Sequence, residues 1–191
     1  ADGWKAETSR VLVKNKAGKE QDKGWVCDLV PKSLIVARYF AVEQSAIDTQ
    51  QAELESVTAS LTELEEEHGG EDGAFAELDK INKVEVAKRL KEIKSDKNAA
   101  TEVKVLTQWQ SLNNKIASLK KLIKADESAL DLLAYNKYPT LSEDEVKTLV
   151  VDDKWLATLS AEIHGEMDRI SQSLTKRVKE LAERYEHTLT G

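Results

Sequence analysis

Only two prolines, Pro31 and Pro139, and eight glycines interrupt 191 residues, so few positions force a helix to stop. Cysteine is scarcer still. Cys27 stands alone, which excludes an internal disulfide framework and a cysteine-rich zinc site. It lies in an apolar stretch and reads as a packed thiol, and a reducing, cytoplasmic setting is expected. Aromatic residues make up 5% of the chain and charged ones 33%, a bias away from compact α/β enzymes and toward helical, coiled-coil-rich proteins. No apolar run approaches the roughly 20 residues that span a bilayer, and no signal-peptide pattern opens the chain, so no membrane partner is expected. Adjacent glycines occur only at Gly69-Gly70, inside an acidic loop, so there is no glycine-rich nucleotide loop. His68, His164 and His187 are widely spaced and form no ligand pattern with Cys27. Glu162, His164, Glu166 and Asp168 fall on different faces of a helix. No acid, base, nucleophile or ligand set converges, so neither an enzyme centre nor a metal or cofactor site is expected in this chain. The net charge of -7 argues against a general nucleic-acid binder.

What the chain does have is heptad periodicity. Trp109, Ile116, Ile123 and Leu130 recur every seven residues. Leu112, Leu119 and Leu133 follow members of that series by three, and Asp126 fills the remaining slot. That is the a/d seam of a coiled-coil helix. Phe40, Ile47, Leu54 and Leu61 form a second series, with Val57 and Leu64 three residues after its last two members. An apolar stripe must be covered, and two long antiparallel helices zipped together satisfy both series. The spacing alone leaves open whether the seam closes within one chain or by self-association. The polar seam positions Gln50 and Asp126 either fix register or mark a point open to solvent.

Taken in order, Ser9–Lys14 and Gly24–Val30 read as two short strands around a polar turn, a hairpin that needs a further surface. Pro31 suits the first turn of a helix running from about Lys32 to Glu67, which the glycines after His68 end. Residues 74–98 read as one or two short helices, with Asn82 and Glu85 as a capping box. The main seam helix is expected from about Ala99 to Tyr135. Ser142 and Glu145 form a second capping box, starting a short helix to about Val150 that Trp155 covers. Asp152 or Asp153 then caps a last helix to about His187. That helix carries Leu159, Ile163, Met167, Ile170, Leu174, Val178, Leu181 and Tyr185 at steps of three and four, a full apolar stripe. The expected fold class is therefore all-α: a long antiparallel helical hairpin, an additional amphipathic C-terminal helix and a small N-terminal β-hairpin. Residues 1–30 read as a hairpin or linker, and 31–191 as a helical coiled-coil assembly domain.

Charge is segregated along the chain. No Lys or Arg lies between Arg38 and Lys80, whereas Lys88, Arg89, Lys91, Lys115, Lys120, Lys121 and Lys124 crowd the following stretch. This basic run either neutralises the acidic helix beside it or contacts phosphates of a duplex.

Two long stretches and a short one resemble a known family. Lys23-Gly-Trp-Val-Cys-Asp-Leu-Val-Pro-Lys-Ser-Leu-Ile-Val-Ala-Arg-Tyr-Phe40 is similar to the segment that follows the catalytic domain in the methyltransferase subunit of type I restriction–modification enzymes. The segment from Lys137-Tyr-Pro-Thr-Leu to Trp155-Leu-Ala-Thr-Leu159, and Leu181-Ala-Glu-Arg-Tyr185, resemble that subunit's C-terminal region. The resemblance implies a bacterial adenine-N6 DNA methyltransferase using S-adenosylmethionine, whose C-terminal helices pack on helical spacers of the DNA-specificity subunit. The family's cofactor loop and Asn-Pro-Pro-Phe motif have no counterpart here, so no catalytic or cofactor-binding residue carries over. The chain, which opens at Ala1 without Met, is expected to be the assembly region of a longer protein. Ile163, Met167, Ile170, Leu174, Val178 and Leu181 are the expected partner interface. A direct DNA-contacting arm and a stand-alone coiled-coil scaffold are the alternatives.

Overall fold

The computed structural model describes residues 3–14, 18–94 and 99–186. It is an all-α protein with a small two-stranded sheet at its start. Its contacts divide it into two compact units, Phe40–Leu133 and Ala1–Tyr39 with Ala134–Gly191.

The Phe40–Leu133 unit is built on α2 (Ala41–Glu67) and the first thirty-odd residues of α4 (Ala100–Lys137). Polar contacts set their direction. Gln50 Nε2 donates to Asp126 Oδ2 at 2.8 Å, Lys115 Nζ meets Glu53 at 2.6 Å, and Trp109 Nε1 donates to Glu65 Oε1 at 2.6 Å. As numbers rise along α2 they fall along α4, so the pair is antiparallel and the seam closes within one chain. Ile47, Val57 and Leu64 are buried on α2, and Trp109, Leu119, Ile123 and Leu130 on α4. Leu54, Leu61, Leu112 and Ile116 are half-buried. Near the tip, α3 (Lys83–Ile93) supplies Val86 and Ile93 to a cluster with Leu64, Phe75, Val105, Leu106 and Trp109. Asn82 caps α3 by accepting from the N–H groups of Val84 and Glu85 at 2.9 and 3.0 Å. Residues before Asn82 form turns rather than a further helix, with Phe75 buried among them.

Two positions at this end of the seam stand apart. The helix expected from Lys32 to Glu67 is broken at Phe40 into α1 (Lys32–Tyr39) and α2, so Phe40 stands at the junction, immediately before α2. The break falls where the chain passes from one unit to the other. Leu133 is 43% exposed, because α2 begins only at Ala41 and little of it remains to cover the last turn of the seam.

The second unit holds strands β1 (Ser9–Lys14) and β2 (Glu20–Val26), paired antiparallel with a bulge between Arg10 and Leu12. β2 begins and ends earlier than Gly24–Val30, because Cys27 and Val30 are drawn into the core instead, at 3% and 0% exposure. Of the expected turn over Asn15–Glu20, residues 15–17 lie outside the described residues. The hairpin rests on the helices through Trp25, whose ring lies 5.4 Å from Tyr135 and 5.2 Å from Tyr138. Buried Tyr138 donates its hydroxyl to the Val30 carbonyl at 2.8 Å.

After a single 3₁₀ turn, Tyr138–Thr140, the capping box forms as the sequence predicts. The Ser142 N–H donates to Glu145 Oε2 at 2.8 Å, and the Glu145 N–H to Ser142 Oγ at 3.2 Å. It opens α5 (Glu143–Thr148). No break follows. The helix passes through a π-helical segment, Leu149–Leu156, directly into α6 (Ala157–Glu186). Asp152 and Asp153 therefore cap nothing. Asp153 instead meets Arg38 at 3.2 Å, and Lys154 Nζ donates to the carbonyls of Asp28 and Leu29 at 3.2 and 3.0 Å. The wider π turns let Leu149 and Val150 bury completely while these polar partners reach the residues before α1 and α1 itself.

Glu145 ties this unit together. The Tyr39 hydroxyl donates to Oε1 at 2.9 Å, and Lys137 Nζ lies 3.4 Å from the same oxygen. The Ser142 N–H above all, then the Tyr39 hydroxyl, hold the Glu145 carboxyl down at about 2. A carboxyl with a depressed folded-state pKa contributes stability above its ordinary value of 4.5, and that contribution is lost as pH falls from 4.5 toward 2. Glu145→Gln is expected to flatten the pH dependence of unfolding in that window relative to the native chain. Denaturation midpoints at pH 3 and pH 7 check this, and an unchanged difference between them would contradict it.

Candidate functional site

The site begins where the core ends. Val146, Leu149 and Val150 are 1%, 0% and 0% exposed, so the root of the last helix is firmly set. Beyond it the burial stops. None of the 30 residues of α6 is buried. Leu159, Ile163, Met167, Ile170, Leu174, Val178 and Leu181 are between 41% and 63% exposed. Tyr185 is exposed as well. An amphipathic helix whose apolar stripe faces water is far from its minimum, since each such side chain gains about 1.5–3 kcal/mol on full burial.

Trp155 and Leu156 extend the uncovered surface, at 56% and 54% exposure. The expectation that Trp155 covers the preceding helix fails. With no break before α6, the tryptophan lies on the outside of a continuous helix rather than folding back over one.

The stripe advances by four, four and three residues from Leu159 to Ile170, and by the same steps from Ile170 to Leu181. Eleven residues in three turns is 3.67 per turn, slightly above the ideal 3.6, so the stripe winds slowly about the helix in the sense opposite to that of a heptad seam. The seam of α2 and α4 repeats every seven instead. The two surfaces are thus built for different packing geometries.

The flanks of the stripe differ from one another. On one side Ser160, Ser171 and Ala182 follow at intervals of eleven. On the other, Glu162 and Glu166 give way to Ser173, Arg177 and Arg184. Arg169 bonds Glu166 through Nε at 2.8 Å and through the guanidinium amino group at 2.6 Å, and this hydrogen bonding holds the Glu166 carboxyl below its ordinary value. Arg177 lies 3.7 Å from Glu180. These are exposed pairs within one helix, of the kind that contributes little and exchanges readily. His164 Nδ1 sits 2.7 Å from the Ser160 carbonyl, a local contact with its own helix.

The candidate DNA contacts are dispersed. Arg89 is held by Glu102, Nε to Oε1 at 2.6 Å, and Lys115 by Glu53. Lys88 and Lys91 on α3, and Lys120, Lys121 and Lys124 on α4, are exposed. Among the described residues no group of three His, Cys, Asp or Glu could hold a metal ion, and no helix is long and apolar enough to cross a membrane.

The polar seam pair has a definite geometry. Asp126 accepts from Gln50, while the buried Oε1 of Gln50 has no hydrogen-bond partner among the described residues. Asp126→Leu alone strands a second Gln50 atom and is expected to destabilise by about 1–3 kcal/mol. Gln50→Leu with Asp126→Leu is expected to restore or exceed native stability. Urea midpoints of the single and double variants separate the two effects, and a double variant as weak as the single would contradict the pairing.

No known protein family, curated protein or solved structure matches the chain.

Proposed function

We propose that this chain is a non-catalytic assembly module that docks onto helices of another protein through the apolar face of α6. One observation carries the reading: a 30-residue helix rooted in a well-packed core, with no buried residue and a continuous apolar stripe. Exposed stripes of this size mark protein interfaces, and the recognition mode that fits is helix against helix, apolar anchors inside and charges at the rim. The resemblance of the 23–40 and 137–159 stretches makes the partner the helical spacer of a type I DNA-specificity subunit in the bacterial cytoplasm. The chain then supports an adenine-N6 methyltransferase without binding S-adenosylmethionine, and reaches DNA through the complex.

The exposed lysines Lys88, Lys91, Lys120, Lys121 and Lys124 favour direct phosphate contact as the second reading. The partial pairing of Arg89 and Lys115 weakens it. Co-purification with the cognate specificity subunit, beside DNA binding measured across salt, tests both. Salt-resistant capture of the subunit with weak, steeply salt-dependent DNA binding is expected. Tight DNA binding without subunit capture would reverse the order.

A further inference from the structure

We propose that, in the absence of another partner, a second copy of this chain covers the α6 stripe, the two helices pairing antiparallel about Gln172. The pattern is self-complementary. An antiparallel register centred on Gln172 sets Ile170 level with Leu174 of the second copy, and Ile163 level with Leu181. Both pairs are apolar, and all four residues are 41–63% exposed in the single chain.

Charge selects the orientation. In an antiparallel pair each flank faces the same flank of the other helix. Glu166 then comes beside Arg177 of the second copy, and Glu162 beside Arg184, at both ends of the pair. A parallel pair sets the charged flank against Ser160, Ser171 and Ala182 and gains none of these contacts. The bonds from Arg169 to Glu166 and from Arg177 to Glu180 leave these side chains exposed, 50–74% by residue, so exchanging them for contacts between copies costs little.

The area suffices. Thirty residues of helix extend about 45 Å. Pairing two copies over that length removes on the order of 1,500 Å² of surface, within the range of stable interfaces. An 11-residue repeat asks only for a gentle right-handed supercoil, and with it the two stripes stay in register from Leu159 to Leu181. The inference goes beyond the docking reading and does not depend on who the other partner is.

Sedimentation equilibrium of the whole chain tests it. A reversible species of twice 21.3 kDa is expected in the micromolar range. Glu162→Arg with Glu166→Arg, and separately Arg177→Glu with Arg184→Glu, each set like charges against one another. Each double variant is expected to weaken dimerisation at least about tenfold, with circular dichroism unchanged, since all four side chains are at the surface. Mixing the two variants is expected to restore a dimer of native affinity or better, because every flank contact is then complementary. A native chain still monomeric at roughly 100 µM overturns the proposal. So does a dimer that ignores both charge reversals, or variants that fail to recombine. Subunit capture is a separate measurement, so a failure here leaves the docking reading standing or falling on its own result.

Discussion

Trp109→Ala is expected to destabilise the Phe40–Leu133 unit by about 3–5 kcal/mol, the largest effect of any single substitution considered. The indole is 2% exposed, at the meeting point of α2, α3 and α4, in one cluster with Leu64, Phe75, Val86 and Leu106. Truncation removes a large buried surface and leaves a cavity that Val86 and Leu106, both 0% exposed, have little freedom to fill. It also removes the N–H that Glu65 accepts at 2.6 Å, although that half-buried carboxylate can turn to water. Urea unfolding followed by circular dichroism at 222 nm checks the value. A loss below about 1 kcal/mol would mean that the indole is not a core group, and the antiparallel α2–α4 assignment would lose its strongest anchor.

The second large effect is on binding rather than folding. Ile170→Gln with Leu174→Gln is expected to leave thermal unfolding nearly unchanged. These side chains are 55% and 63% exposed, and glutamine is a good helix former. Partner capture should fall by a factor on the order of 100 to 10,000. Two central anchors contribute about 1.5–3 kcal/mol each when fully buried, and each 1.4 kcal/mol is tenfold in affinity. Surface-plasmon titration of the proposed partner, a type I DNA-specificity subunit, over native and variant chains reads this directly. Equal affinities would place the interface elsewhere. A variant that loses both stability and binding would mean the stripe is covered within the chain.

Much of the fold was legible because periodicity reports what a helix must bury. The repeats through Ile47, Val57 and Leu64 and through Trp109, Leu119, Ile123 and Leu130 are buried, and Asp126 meets Gln50 across the seam. The Ser142–Glu145 box was legible for a different reason: its bonds are local, so four residues suffice to specify them. Where reading failed, a distant partner decided. Nothing in the heptad through Phe40 shows that Tyr39 bonds Glu145, 106 residues away. Asp152-Asp153 has the local chemistry of a helix start, yet Arg38 claims Asp153 and the carbonyls of Asp28 and Leu29 claim Lys154, and the helix continues through π turns. The stripe on α6 was visible in the sequence, but its lack of cover was not. A helical stripe looks the same in sequence whether its partner lies in the same chain or in another.

Hydrogen exchange, read peptide by peptide on the chain alone and with the proposed partner, a type I DNA-specificity subunit, tests the proposed role of α6 most directly. Residues 157–186 form a helix without buried side chains, so their amides should exchange fast in the free chain and slow markedly in the complex. The basic stretch from Lys88 to Lys124 should be unaltered. Protection confined to that basic stretch, with α6 exchanging as fast in the complex as in the free chain, would contradict docking through α6.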